Sequence, residues 1–223
     1  MSQDGEGVLG RGSAAIYWFA VVGLWLALTA LPGAVPLLLL DRSAGNIPLA
    51  ALCLVPFGPA ISAALFALRD RSRAEALTPA RSFLRGYRLN VLDVLKLWVP
   101  ALAFTSIIAI SLANIEHAGV PGAYGAVLLG LVAMCAVWVG LGLVITSLFS
   151  LRLRDVARLA VYYIARTPLV ALGVLAMYLV VAGIVYLTFD VVVLLAGPVL
   201  VWMLLRTSEP MVRHVQENFV AGA

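Results

Sequence analysis

The stretch RDRSRAEALTPARSFLRGYRLNVLDVLKLW, residues 69–98, decides the fold of this chain. It holds seven of the fifteen Lys and Arg residues and lies between two long apolar runs. Because basic residues concentrate in the cytoplasmic loops of membrane proteins, a basic block in this position orients the runs on either side of it. The stretch therefore predicts membrane-spanning helices on both sides of a cytoplasmic segment.

The composition supports this interpretation. The 223 residues are 63% hydrophobic and 12% charged, whereas soluble domains are about 45–50% apolar and about 25% charged. Several apolar runs exceed the roughly 18 residues that a spanning helix needs. The net charge of +4 does not indicate nucleic-acid binding, because the basic residues lie next to apolar runs, where lipid headgroups account for them. The prediction is an all-α, polytopic helical membrane protein in a lipid bilayer.

Six spans are predicted in one transmembrane domain, residues 14–206, between a polar N-terminal tail (1–13) and a frayed cytosolic tail (207–223). The predicted spans are 14–32, 48–68, 97–114, 122–149, 168–187 and 191–205. The long segments 69–96 and 151–167 carry seven and four basic residues, and the other loops carry one or none. This bias places both basic segments and both termini in the cytoplasm.

Proline and glycine predict two interruptions of the spans. The Leu-Pro-Gly run at 31–33 should end the first helix, which leaves 34–40 as an interfacial segment or as helix continued past a kink. A candidate helix break in the second span contains Pro56, Gly58 and Pro59. It is either a packing kink beside small residues or a broken helix that lines a binding cavity, as in transporters.

The two basic segments predict two cytosolic amphipathic helices. In residues 81–96 apolar side chains recur at helical spacing, with arginines along one flank. This pattern fits a helix lying in the headgroup region or the cytosolic foot of the third span. A similar stripe recurs about 69 positions later, in residues 151–167, although such stripes also arise by chance.

The chain carries no recognisable catalytic constellation. His117 and His214 fall on opposite sides of the predicted membrane, and His117 beside Glu116 is interpreted as two exposed polar residues. Cys53 and Cys135 lie inside apolar runs and are expected to be buried rather than disulfide-bonded. No charged residue falls at mid-depth of a span, which weighs against an ion-coupled carrier. We therefore predict no enzyme activity, no catalytic residue, no cofactor and no metal site.

The entry to the third span contains residue types that a positive-inside bias does not explain. They form a candidate interaction surface: Arg85, Gly86, Tyr87, Arg88, Asn90, Asp93 and Trp98. Asp93 could receive an arginine of a partner protein. It could equally pair inside the chain with Lys96, three residues later, or with an arginine of the second basic segment.

Three stretches resemble a known family: LWLALTALPG (24–33), GPAISAALFALR (58–69) and PARSFLRGYRLNVLDVLKLWVP (79–100). They are similar to the YesL family of bacterial membrane proteins, also called DUF624. The stretch LLLLDRSAGNIPLAAL (37–52) resembles actinobacterial members in particular. The resemblance covers roughly residues 14–205 and is strongest before Pro100. One departure is Gly23, where many members have Asn.

The resemblance implies a role near transport. Family members often occur beside genes for carbohydrate uptake, including ABC sugar importers. The expectation is a non-enzymatic accessory to ABC-type carbohydrate transport in the bacterial plasma membrane, with an importer component as partner. The alternative is a small solute permease or facilitator built on the broken spans.

Overall fold

A computed structural model describes residues 3–71, 78–115, 121–187 and 190–220. In these ranges the chain forms nine α-helices and no strand. The helices are α1 (Gln3–Leu39), α2 (Ile47–Cys53), α3 (Phe57–Asp70), α4 (Pro79–Ala113), α5 (Gly122–Leu148), α6 (Leu153–Arg166), α7 (Pro168–Leu187), α8 (Asp190–Thr207) and α9 (Glu209–Val215). A 3₁₀ turn, Ala44–Asn46, precedes α2, and a π-helical turn, Gln216–Val220, follows α9.

Five helical segments are long and apolar enough to cross a bilayer. They are Ser13–Leu39, Ala44–Asp70, Pro79–Ala113, Gly122–Leu148 and Pro168–Leu187. This confirms the prediction of an all-α, polytopic helical membrane protein. Leu195–Thr207, within α8, is a shorter apolar segment, so a sixth crossing stays a prediction.

The predicted end of the first helix at 31–33 is wrong. Helix α1 continues through Pro32 and Pro36 to Leu39, which is the alternative of a helix continued past the prolines. Proline is tolerated inside a membrane helix when neighbouring groups satisfy the freed backbone. Gly33 serves packing instead, because a Cβ built there would lie 1.9 Å from the Cys53 carbonyl oxygen.

The second span is divided into two helices. Helix α2 ends at Cys53, residues 54–56 form a turn, and α3 begins at Phe57. Pro56 therefore lies in the turn, and Gly58 and Pro59 lie in the first turn of α3, where a missing backbone N–H costs little.

The two basic segments have different structures. Residues 79–113 form one continuous helix, α4, so the first basic segment is the foot of the third span rather than a separate helix. The second basic segment forms the separate helix α6. Helices α4 and α6 are in contact, which brings the two basic segments together at one end of the bundle.

The long apolar helices contact one another in the order α1, α3, α4, α5, α7, α8 and back to α1, and α3 also contacts α5 and α8. Glycines let several neighbours approach closely, as small residues do in membrane bundles. A Cβ built at each would lie under 3 Å from the side chain it faces: Gly86 faces Phe66, Gly142 faces Leu97, Gly140 faces Val174, Gly173 faces Thr207 and Gly197 faces Leu26.

Gly23 belongs to the same set of contacts. A Cβ built on it would lie 2.6 Å from Pro198 Cγ in α8. Replacing Gly23 with Asn, the residue of many resembling proteins, is expected to destabilise the fold by about 1–3 kcal/mol, the usual cost of overpacking. Pro198→Ala should relieve the clash, so the double variant should be more stable than the sum of the single effects predicts. Additive losses in thermal unfolding would contradict this contact.

The expectation of a frayed C-terminal tail is also wrong. Met211 and Val215 of α9 are fully buried in the core cluster. The Tyr163 hydroxyl of α6 lies 2.8 Å from His214 Nδ1. Burial raises the pKa of the Tyr163 phenol, and Tyr162 adds to the rise while Arg166 opposes it. The phenol therefore stays protonated at neutral pH and can donate to the imidazole, which fixes α9 to α6.

Candidate functional site

The foot of α4, residues 79–98, has one face buried against α1 and α3. Phe83 is fully buried, and its ring stacks on Trp25 of α1 at 6.3 Å between centroids. At Gly86 the backbone of α4 comes so close to α3 that a Cβ would lie 2.7 Å from Phe66 Cβ. Ser82 Oγ donates a hydrogen bond of 2.5 Å to Asp70 Oδ2 at the end of α3. These contacts hold the foot rigidly against the bundle.

Asn90 satisfies the end of α5. The last four carbonyls of a helix have no partner within it. Asn90 Nδ2 donates to one of them, the Ser147 carbonyl oxygen, at 3.2 Å. The Ser147 hydroxyl donates to the Leu143 carbonyl and lies 2.8 Å from Ser62 Oγ of α3. The amide of Asn90 therefore has an internal partner.

Arg69 completes this polar junction. Its Nη1 donates to the Leu148 carbonyl oxygen at 3.2 Å, and its guanidinium lies 5.0 Å from the centroid of the Phe149 ring. Its Nη2 donates to Gln216 Oε1 at 3.3 Å, beyond α9. One side chain thus joins α3, α5 and the C-terminal turn. Sequence reasoning counted Arg69 only as a topological charge, and its position at the end of a span gave no signal of its partners.

Trp98 closes the other end of the foot at the helix break. Its Nε1 donates to the Leu54 carbonyl oxygen at 2.9 Å, and its ring lies over Gly58, whose added Cβ would lie 2.6 Å from Trp98 Cγ. Leu54 belongs to the turn between α2 and α3. The indole N–H thereby gives the Leu54 carbonyl at the break a second donor, beside the backbone N–H of Phe57 at 3.2 Å.

The opposite face of the foot is exposed and carries a basic stripe, which we define as Arg81, Arg85, Arg88 and Lys96. Leu89 and Leu92 lie among these residues and are 60% and 68% exposed. Asp93 and Lys96 form an ion pair of 2.8 Å between side chains that are both more than half exposed. Of the two alternatives for Asp93, the intramolecular pair is therefore present.

Helix α6 repeats the division into a buried and an exposed face. Val156, Ala160 and Tyr163 are fully buried, and Trp138 Nε1 of α5 donates to the Ala157 carbonyl at 3.1 Å. The outward face carries exposed arginines: Arg154, Arg158 and Arg166. Within the described ranges, neither these arginines nor those of the basic stripe form an ion pair.

The predicted contact residues thus fall into two groups. Gly86, Asn90 and Trp98 make internal contacts, and Tyr87 packs against the core. Arg85, Arg88 and Asp93 are exposed. A role of this surface in binding a partner stays a prediction.

An apolar cavity of about 560 Å³ lies among the long apolar helices. Helices α1, α3, α4, α5, α7 and α8 all contribute to its wall, and so does the break at Leu54. Trp98, at the end of the foot of α4, is one of the lining residues. Leu54 and Phe57 of the broken second span line the cavity, while Gly58 serves close packing, and a binding role of the break stays a prediction.

Within the described residues no group of three His, Cys, Asp or Glu side chains comes together. Cys53 is a buried free thiol, and Cys135 is a partly buried one. His117 and Glu116 lie outside the described residues. Glu209, in α9, accepts a 2.7 Å hydrogen bond from Arg213, and this bond lowers the pKa of its carboxyl.

Comparison with known proteins identifies one family. Residues 17–112 match a family model described as "Protein of unknown function, DUF624". No curated protein and no solved structure matches the chain. The matched residues comprise most of α1, the broken span and nearly all of α4, which are the elements joined at Gly33, Gly58 and Trp98. Residues 17–112, somewhat less than half of the chain, are therefore similar to the DUF624 family.

Proposed function

We propose that this membrane protein is a non-enzymatic accessory of ABC-type carbohydrate transport, which binds an importer component through the basic stripe of α4. The observation that carries the proposal is the division of the α4 foot. Its inner face is held by Phe66, Ser147 and Leu54, while its outer face presents arginines and leucines without an internal partner in the described chain. A rigid helix with a mixed basic and apolar outer face suits an acidic groove on another protein.

Electrostatics favours a protein partner at this stripe. Leu89 and Leu92 are exposed among the arginines, although a positive-inside bias calls only for basic residues. These two leucines could add an apolar contact to the affinity for a partner protein. The neighbouring arginines of α6 extend the positive field and would steer an acidic surface to the same end of the bundle. The family's association with sugar importers supplies the identity of the proposed partner.

Reversing the charge of the stripe tests this proposal. Arg85→Glu with Arg88→Glu is expected to abolish recovery of importer subunits with the tagged protein from mild detergent. The thermal unfolding midpoint should not change, because both side chains are exposed. Arg85→Lys with Arg88→Lys keeps the charge and serves as the matched control. Recovery of the wild-type protein alone would overturn the accessory role, and undiminished recovery with the Glu variant would overturn the stripe as its site.

The proposed orientation places the basic segments in the cytoplasm. The ends of α3 and α5, the foot of α4, and α6 and α9 meet at one end of the bundle through Arg69, Asn90 and His214. That end carries most of the basic residues, so the positive-inside rule assigns it to the cytoplasm.

Cysteine labelling checks this orientation. In a background in which Cys53 and Cys135 are replaced by Ala, Arg81→Cys should react with a membrane-impermeant maleimide only after permeabilisation. Ala123→Cys, exposed at the start of α5, should react in intact cells. The reverse pattern would invert the topology.

The lining of the cavity gives little support to the alternative, a sugar permease. A sugar needs hydrogen-bond partners for several hydroxyls, and each unpaired one costs about 1–3 kcal/mol. The Thr105 hydroxyl already bonds the Ala101 carbonyl, and the Trp98 indole bonds Leu54. Sugar flux into proteoliposomes above that of empty vesicles would reverse this preference.

A further inference from the structure

The central cavity contains almost no polar surface. Apolar side chains such as Leu26, Leu102, Val139 and Val201 make up most of its wall. Thr105 and Tyr178 are among the few lining residues that have a polar side-chain atom. Such a wall cannot replace the hydration of a polar solute, but it matches a hydrocarbon well.

The position of the cavity determines which hydrocarbon can enter. Its lining comes from the middle of α4, α5 and α8 and reaches the ends of α1 and α7 at Leu38 and Val185. These residues belong to segments that cross the bilayer or lie beside them. At this depth the surroundings are lipid acyl chains. The cavity is partly open to the outside of the bundle, so those chains have access to it.

The volume of the cavity is also large enough for an occupant. About 560 Å³ lies within the roughly 300–1,000 Å³ of ordinary ligand sites and far above the voids between packed side chains. Apolar cavities of this kind stay dry and take up apolar molecules. We propose that the cavity holds one acyl chain of a membrane phospholipid, with its headgroup outside the bundle. This inference does not depend on the proposed role in transport.

Photo-crosslinking of the full chain provides the test. The protein is reconstituted in phosphatidylethanolamine and phosphatidylglycerol vesicles that contain a phosphatidylethanolamine with a diazirine in its acyl chain. After irradiation, label is mapped by peptide mass spectrometry. We expect label on Val139 and Val201, which are only 4% exposed and line the cavity. Exposed Leu129 and Met134, on the outside of α5, report the surrounding lipid in the same sample.

Filling the cavity should exclude the chain. Ala136→Phe and Ala101→Phe place a ring in the cavity from two different helices and should reduce label on Val201 several-fold. Ala126→Phe and Ala103→Phe are matched controls on exposed faces of the same helices and should leave it unchanged.

The outcomes distinguish an acyl chain inside the cavity from lipid outside the bundle. Absence of label on Val139 and Val201 in the wild-type protein, with strong label on Leu129, would overturn the proposal without any variant. Equal label in filled and control variants would also overturn it, because the label would then come from outside the cavity. Neither result would affect the pull-down test of the basic stripe.

Discussion

Replacing Gly33 with alanine is expected to destabilise the folded chain by roughly 3 kcal/mol, the upper end of the range for overpacked sites. The added Cβ would lie 1.9 Å from the Cys53 carbonyl oxygen and 2.8 Å from Pro56 Cγ. One of these atoms is backbone and the other is a ring in the helix break, so neither can rotate away. Helix α1 would have to move away from α2 and α3. The free energy of unfolding in mixed detergent micelles with increasing SDS measures the loss.

Gly130→Ala provides the control with the opposite sign. Gly130 also lies inside a membrane helix, α5, but no atom of another described helix lies within 4 Å of a Cβ built there. Because Ala loses less backbone entropy than Gly, this variant should gain about 0.5–1 kcal/mol. Equal stabilities of Gly33→Ala and Gly130→Ala would show that α1 does not pack on the break as described.

The membrane architecture could be predicted because its signals are local. Apolar runs long enough to span a bilayer follow from composition alone, and the basic block at 69–98 stands out without knowledge of any contact. The break at Pro56 can also be predicted from the sequence, because two prolines and a glycine close together interrupt a helix wherever they fall.

The sequence-based predictions are wrong where packing between distant parts of the chain decides local structure. The run at 31–33 has the composition of a helix end, yet α1 continues because Gly33 fits against Cys53 in a different span. The polar tail has the composition of a frayed end, but Met211, Val215 and His214 bind it to the core and to α6. Hydrophobic periodicity cannot reveal such partners, since they lie far apart in the sequence.

The candidate site was predictable as a set of residues but not as a set of contacts. Asn90 is a polar amide near the entry to a span, and Trp98 lies at the depth where an interfacial indole is favoured. Their acceptors, the carbonyls of Ser147 and Leu54, carry no side-chain signal at all. Backbone acceptors at helix ends depend on which helices become neighbours, which one sequence does not specify.

Trp98 should be a sensitive side chain of the segment that matches DUF624. Trp98→Ala is expected to cost about 3 kcal/mol, the lower end of the range for aromatic-to-alanine changes, because Trp98 is partly buried. The substitution removes the ring that packs over Gly58, enlarges the neighbouring cavity and deprives the Leu54 carbonyl of its indole donor. The free energy of unfolding in increasing SDS, followed as the loss of the α-helical circular dichroism signal, measures the change.

Trp98→Phe separates packing from hydrogen bonding. The ring remains, but the N–H is lost, so the expected cost is about 1–2 kcal/mol, the range for removal of one hydrogen bond to a partly buried acceptor. The Leu54 carbonyl keeps its backbone bond from Phe57 N at 3.2 Å, which limits the loss. Trp202→Ala is the control, because Trp202 is 37% exposed and its ring meets the edge of Phe19 and the guanidinium of Arg206. If Trp202→Ala destabilised the chain as much as Trp98→Ala, the loss at position 98 would not reflect the contacts of the indole with the helix break.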